Sequence, residues 1–86
     1  MNTTSRRDIV ETTPENLIDF IVVTPFGTPG FEELVIERFD ISAVRFSVLL
    51  NRAVTSPRGL VHDPITCRQI RERRENNARG RARILA

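Results

Sequence analysis

The 86-residue sequence has no lysine, tryptophan or tyrosine, and it has one cysteine and one histidine. A single cysteine, Cys67, cannot form a disulfide within the chain, which excludes a disulfide-stapled secreted domain and favours a reducing cytoplasm. One cysteine and one histidine also cannot supply the ligands of a zinc site. The apolar run at residues 21–23 is far below the roughly 18 residues that a membrane span needs. Arginines 6 and 7 precede no apolar run, so we expect no secretory signal and no membrane association.

The basic residues are distributed unevenly along the chain. All 13 are arginine, and the formal net charge of the whole chain is only +2. Residues 1–63 carry six arginines and nine acidic residues, a net charge of −3, whereas residues 64–86 carry seven arginines and two glutamates, a net charge of +5. The sequence therefore predicts an acidic body followed by a basic C-terminal segment.

Capping and breaking residues divide the chain into three parts: an N-terminal arm (residues 1–12), a helical helix-turn-helix body (residues 13–63) and an arginine-rich C-terminal helix or tail (residues 64–86). Residues 1–12 are polar without periodicity, which predicts a flexible N-terminal arm. Thr13-Pro14 is typical of a helix start, and Thr24-Pro25 of a helix end. Prolines and glycines predict loops over residues 25–30 and 55–59. Asp63-Pro64 then opens a long basic helix over residues 64–86, which Gly80 is expected to end or fray.

Residues 31–54 predict two helices joined by a short turn. Apolar residues at Phe31, Leu34, Val35 and Phe39 follow helical spacing, and Ser42 can cap a second helix over residues 42–54. Within that second segment, residues 44–48 alternate as a half-buried strand does, so a strand remains the alternative there. The interpretation is a small all-α domain of three to four helices.

The same two segments match the pattern of a DNA-binding helix-turn-helix, in which the second helix enters the major groove. Val35, Ile36 and Phe39 would line the inner side of the first helix. Asp40 would occupy the corner, where a residue that tolerates positive φ is needed. An ordinary helical hairpin is the alternative interpretation of this segment taken alone.

From residue 30 to residue 83 the chain resembles a small family of actinobacterial and actinophage helix-turn-helix DNA-binding proteins. The matching features are Ile41-Ser42-Ala43-Val44-Arg45, Leu50-Asn51, His62-Asp63-Pro64 and the arginine-rich segment from Arg68 to Arg83. Residues 35–42 also resemble, over a shorter stretch, the helix-turn-helix of sigma-factor region four. Both resemblances imply DNA binding, but they imply no operator and no partner protein.

We expect a non-enzymatic protein that binds double-stranded DNA, a transcriptional regulator or DNA-associated accessory factor without cofactor or metal. Arg45 can bond guanine bidentately and Asn51 can read adenine. The expected base-reading residues are Ser42, Ala43, Arg45, Ser47 and Asn51. The expected phosphate-binding residues, which would add affinity through counterion release, are Arg52, Arg58, Arg68, Arg71, Arg73, Arg74, Arg79, Arg81 and Arg83.

One helix-turn-helix on a thin core predicts weak monomer binding, so we expect a homodimer or a partner such as RNA polymerase. Two alternatives remain open: a small regulator or inhibitor that docks on transcription or DNA-handling machinery, and an RNA binder acting through the arginine-rich segment. His62 has no catalytic companion and is expected to be a turn residue. Cys67 is expected to be a small buried residue.

Overall fold

The computed structural model describes the backbone of residues 9–85 and the side chains of residues 9–76. Within that range the chain forms helices and no strand, which confirms the predicted small all-α domain. Its five helices are α1 (Pro14–Val23), α2 (Phe31–Phe39), α3 (Ala43–Ala53), α4 (Pro57–His62) and α5 (Pro64–Leu85). The strand alternative for residues 44–48 is wrong, because they lie inside α3.

Three helices begin with the same device, a hydroxyl side chain that accepts a hydrogen bond from the backbone three residues on. Thr13 Oγ1 accepts from the Asn16 N–H at 3.1 Å, and Ser42 Oγ accepts from the Arg45 N–H at 3.1 Å. Ser56 Oγ accepts from the Gly59 N–H at 3.0 Å and opens α4. The predicted loop over residues 55–59 is therefore wrong from Pro57 onward, because Ser-Pro here is a cap followed by a first helical residue.

The turn between α2 and α3 has the geometry that the sequence predicts. Asp40 adopts the left-handed conformation, with φ 61° and ψ 38°, and its N–H donates to the Ile36 carbonyl at 2.8 Å. It is the one non-glycine residue with positive φ in the described part of the chain. Asp40, Ile41 and Ser42 thus join α2 to α3 through a turn of three residues.

Aromatic side chains form the centre of the core. The Phe20 ring of α1 lies 5.3 Å from that of Phe39 and 5.4 Å from that of Phe46, centroid to centroid, both edge-on. The centre of the Phe31 ring lies 5.9 Å from that of Phe46 and 5.4 Å from that of Phe26. Such pairs contribute about 0.5–1.5 kcal/mol each beyond their area burial. Other buried apolar residues surround them: Leu17, Ile18, Ile21, Val35, Leu50, Ala53 and Val54.

Helix α4 is held between α1 and α5. Gly59 is buried, and its carbonyl accepts a hydrogen bond from the Cys67 Sγ of α5 at 3.3 Å. Cys67 has no exposed surface, as expected for a small core residue. Helix α1 contacts α3, α4 and α5, so it is the element around which the other three pack.

Three features differ from the sequence-based expectation. Ile36 does not line the core but is 50% exposed, because α2 turns Val35 and Phe39 inward. Val10 does not belong to a free arm: it packs on the core, and its N–H donates to the Arg38 carbonyl at 2.8 Å. Helix α5 runs through Gly80 to Leu85. Residues 1–8 of the predicted arm lie outside the described residues, and no described helix is long and apolar enough to cross a membrane.

Candidate nucleic-acid interface

The solvent face of α3 has an apolar centre. Val44 is 74% exposed and Val48 is 42% exposed, and their spacing of four residues puts them on the same side of the helix. Helical geometry, with about 100° per residue, places Arg45 and Arg52 on one flank of this apolar pair. Both arginines are exposed, and neither makes an ion pair within residues 9–76.

The opposite flank of α3 carries Ser47 and Asn51, which are half-buried. Arg45 and Ser47 are two residues apart, so they project to different sides of the helix. The five predicted base-reading residues therefore do not form one surface. Ser42 is exposed with its hydroxyl engaged in the cap, and Ala43 is half-buried at the first position of α3.

The half-buried flank of α3 faces α5 across a cleft of about 320 Å³. Ser47 and Asn51 line it from α3, and Arg73 and Arg74 line it from α5. Phe26 and Ile70 complete the lining. Sequence reasoning assigned the polar pair to base reading and the arginines to phosphate binding, and it did not foresee that the four side chains share one cleft.

The other arginines of α5 have different surroundings. Arg68 Nε donates to Glu72 Oε2 at 3.3 Å, an exposed pair four residues apart. Arg71 is half-buried, and its Nε has no hydrogen-bond partner within the described residues. The Arg73 guanidinium lies 5.9 Å from the centre of the Phe26 ring. The side chains of three further predicted phosphate ligands lie outside the described residues: Arg79, Arg81 and Arg83.

Arg58 lies on α4 and forms a two-point ion pair. Its Nε and Nη2 donate to the two carboxylate oxygens of Glu15 at 3.1 and 2.8 Å. This pairing, which joins α4 to α1, holds the pKa of Glu15 below its ordinary value. Arg58 is therefore engaged in an intramolecular contact rather than presented as a free cation.

His62 makes a second polar contact between α4 and α1. Its Nε2 lies 2.7 Å from Asp19 Oδ1, and hydrogen bonding to this carboxylate raises the pKa of His62. Asp63 accepts hydrogen bonds from the backbone and side chain of Thr66, which lower the pKa of Asp63. His62 and Asp63 thus have structural roles, in helix attachment and helix capping.

Among the described residues, no group of three or more histidine, cysteine or carboxylate side chains could hold a metal ion. Burial raises the pKa of the Cys67 thiol, which keeps it in the unreactive protonated form. The exposed chemistry of α3 and of the adjoining cleft consists of guanidinium, hydroxyl and amide groups beside apolar side chains. These groups suit recognition of an anionic partner.

The fold defines a small all-α protein built on a tight two-helix unit with a long arginine-rich helix. The chain belongs to the family described as "Protein of unknown function (DUF3263)", whose sequence profile matches residues 23–83. This match covers the two-helix unit, α4 and most of α5. No curated protein and no solved structure matches the chain.

Proposed function

We propose that the protein is a non-enzymatic helix-turn-helix protein that binds double-stranded DNA, as a transcriptional regulator or DNA-associated accessory factor. The observation that carries the proposal is the arrangement around α3. Its apolar centre, Val44 and Val48, lies between two exposed arginines on one flank and the arginine-lined cleft on the other. A recognition helix needs this order, because bases lie at the floor of the major groove and phosphates along both of its edges.

The turn supports the same proposal. Asp40 in the left-handed conformation and the Ser42 cap set α3 at once after α2, so the first turn of α3 is free to face a groove. Arg45 lies in that first turn and is the principal candidate for a contact with guanine. The exposed valines suit contact with the 5-methyl groups of thymine.

The expected partners follow from the size of the interface. One exposed helix and one adjoining cleft give a small contact area, so we propose that binding involves a homodimer or a second protein such as RNA polymerase. We further propose a cytoplasmic location, which suits a DNA-binding protein whose single cysteine is unpaired.

Titration of labelled duplex DNA at several salt concentrations tests the proposal. We expect the dissociation constant to rise steeply between about 50 and 200 mM salt, with a log–log slope of about 0.9 for each phosphate contacted. Arg45→Ala is expected to weaken binding to duplexes selected from a random pool and to reduce discrimination against random sequence. Arg58→Ala is the matched control, because that arginine lies on α4 and is paired with Glu15.

Two results would overturn the proposal. The first is the absence of binding to any duplex at about 50 mM salt, where phosphate contacts are strong. The second is binding that Arg45→Ala and Arg52→Ala weaken no more than Arg58→Ala does. Equal or stronger binding to RNA hairpins would instead favour the arginine-rich segment as an RNA-binding element.

A second candidate function, docking on another protein, is favoured by the outer face of α2. Ile36 is 50% exposed and lies among the exposed carboxylates of Glu32, Glu33 and Glu37. An acidic surface with apolar side chains suits a basic protein partner and repels DNA. Crosslinking in cells, with wild type and with Ile36→Arg, tests this role. It would be supported if Ile36→Arg lost one specific protein adduct that wild type forms while its DNA binding stayed intact.

A further inference from the structure

We propose that the cleft between α3 and α5 is a phosphate-binding site for the DNA backbone, formed by Ser47, Asn51, Arg73 and Arg74. The inference deepens the proposed function and rests on it. It changes the role of Ser47 and Asn51 from base reading to holding the phosphate that flanks the groove. The recognition helix would then be fixed along one edge by this cleft while its apolar centre faces the bases.

The charge of the cleft selects an anion. Two guanidinium groups line it, and no carboxylate from residues 9–76 does. Neither arginine makes an ion pair within residues 9–76, in contrast to Arg58 and Arg68. A guanidinium presents a planar fork of donors that matches two phosphate oxygens, and it is charged at every physiological pH. The Ser47 hydroxyl and the Asn51 amide add neutral donors from the facing helix.

The cleft is also preorganised. The Arg73 guanidinium lies against the Phe26 ring, 5.9 Å from its centre, and this contact restricts the arginine before any ligand arrives. Phe26 and Ile70 give the cleft an apolar floor, which strengthens the attraction between the guanidinium groups and an anion. Three segments of the chain contribute to the site: the loop after α1, α3 and α5.

The surroundings favour a phosphate within a nucleic-acid chain over a free phosphate ion. A second cleft, of about 300 Å³, adjoins the first and shares Phe26, Ile70 and Arg73 with it. The rest of its lining consists of Ile21, Val22 and Pro25 together with the polar residues Thr66 and Gln69. A phosphodiester carries a sugar on each side, so this mixed apolar and polar continuation offers a surface for the neighbouring deoxyribose. A free phosphate ion would leave that surface unused.

The experiment compares two pairs of matched variants in the full chain. Arg74→Gln removes a cleft charge, and Arg68→Gln removes one charge from the same helix outside the cleft. Ser47→Ala removes a cleft hydroxyl, and Thr55→Ala removes an exposed hydroxyl just after α3 that donates to carbonyls in the last turn of α3. We expect Arg74→Gln to weaken duplex DNA binding about tenfold and to lower the salt slope by about one, against about twofold for Arg68→Gln.

The expected result for the second pair is about a threefold loss for Ser47→Ala with an unchanged salt slope, and no loss for Thr55→Ala. One result would overturn the assignment of the cleft and leave the proposed function intact. In that result the wild type binds DNA, Arg74→Gln weakens binding no more than Arg68→Gln does, and Ser47→Ala binds as tightly as Thr55→Ala.

A second arm uses inorganic phosphate, followed by amide NMR signals of wild type and Arg74→Gln at constant ionic strength. If wild type binds no DNA but phosphate shifts the signals of Ser47 and Asn51 in an Arg74-dependent way, the proposed function fails and the cleft binds free phosphate rather than the DNA backbone. If DNA does not bind and phosphate leaves these signals unmoved, both proposals are overturned. Arg74-dependent loss of DNA binding, with weak or no response to free phosphate, supports both.

Discussion

Gly59 provides the sharpest test of how α4 is held in place. Glycine inside a helix is normally less stable than alanine, so propensity alone predicts that Gly59→Ala stabilises the protein by about 1 kcal/mol. The structure predicts the opposite. A Cβ at this position would overlap the Ala53 carbonyl oxygen at the end of α3, and it would lie 3.0 Å from both the Ala53 carbonyl carbon and Ile18 Cδ1.

The size of the destabilisation depends on which atoms must move to make room for the new Cβ. Ile18 Cδ1 can turn aside, but the Ala53 carbonyl is backbone, so α4 itself must shift away from α3. Inserting a methyl group into such a packed contact costs about 1–3 kcal/mol, and the backbone obstacle puts Gly59→Ala at the upper end. After the gain in helix propensity we expect a net loss of about 2 kcal/mol. A domain of this size loses roughly 4–8 °C in Tm per kcal/mol, so the expected fall is roughly 8–16 °C.

Thermal and urea unfolding followed by circular dichroism measures this loss. Val61→Ala is the control in the same short helix, because Val61 is 85% exposed, and its stability should stay within about 0.5 kcal/mol of wild type. A Tm for Gly59→Ala equal to or above that of wild type would refute the close packing of α4 on α3. The matching functional expectation is that Gly59→Ala, at temperatures where it remains folded, weakens DNA binding less than Arg45→Ala does.

Three further predictions concern the turn, the pairing of α4 with α1, and the face of α3. Asp40→Gly should raise the free energy of unfolding by about 0.5–1 kcal/mol, and Asp40→Ala should lower it by about 1 kcal/mol, because only glycine adopts positive φ without strain. Equal denaturant midpoints for the two variants would contradict this. Asp19 raises the pKa of His62 above 6.5, so the ion pair between the two side chains stabilises the folded state fully below that pH. This stabilisation is lost as the pH rises through the raised pKa. The Tm of wild type should therefore exceed that of His62→Asn at acidic pH, and the difference should disappear in alkaline buffer. A Tm difference that does not change with pH would exclude a stabilising ion pair between His62 and Asp19. If Val44 and Val48 contact thymine methyls, replacing thymine by uracil in a selected duplex should weaken binding about fourfold per methyl contacted. The double variant Val44→Ala/Val48→Ala should bind the thymine-containing and the uracil-containing duplex with equal affinity.

Local signals in the sequence were enough to predict most of the fold. The Thr13 and Ser42 caps, the proline after Thr13 and the positive φ at Asp40 all depend on neighbours within four residues, and all are confirmed. Helix α4 was missed because glycine and proline together resemble a loop, whereas Gly59 is there to let α3 and α4 approach. That reason is a tertiary contact, which the local pattern does not contain.

The candidate interface was predicted less completely, for a related reason. Helical periodicity separates the buried side of α3 from the rest, but it does not say which neighbour faces each remaining flank. That α5 runs beside Ser47 and Asn51 depends on how α5 packs against α1 and α4, and the sequence carries no short-range signal for this. The sequence does not predict the exposure of Val44 and Val48, because apolar residues in a helix usually face the core.

The buried thiol between α4 and α5 gives the protein an internal reporter of its own opening. Cys67 is the only cysteine in the chain, it has no exposed surface, and its S–H donates to the carbonyl of Gly59. A thiol reagent can therefore reach it only when α4 and α5 separate. The rate of labelling then measures the free energy of that local separation. Comparing this rate with and without added DNA would show whether occupying the cleft between α3 and α5 stiffens the junction, with no probe added to the chain.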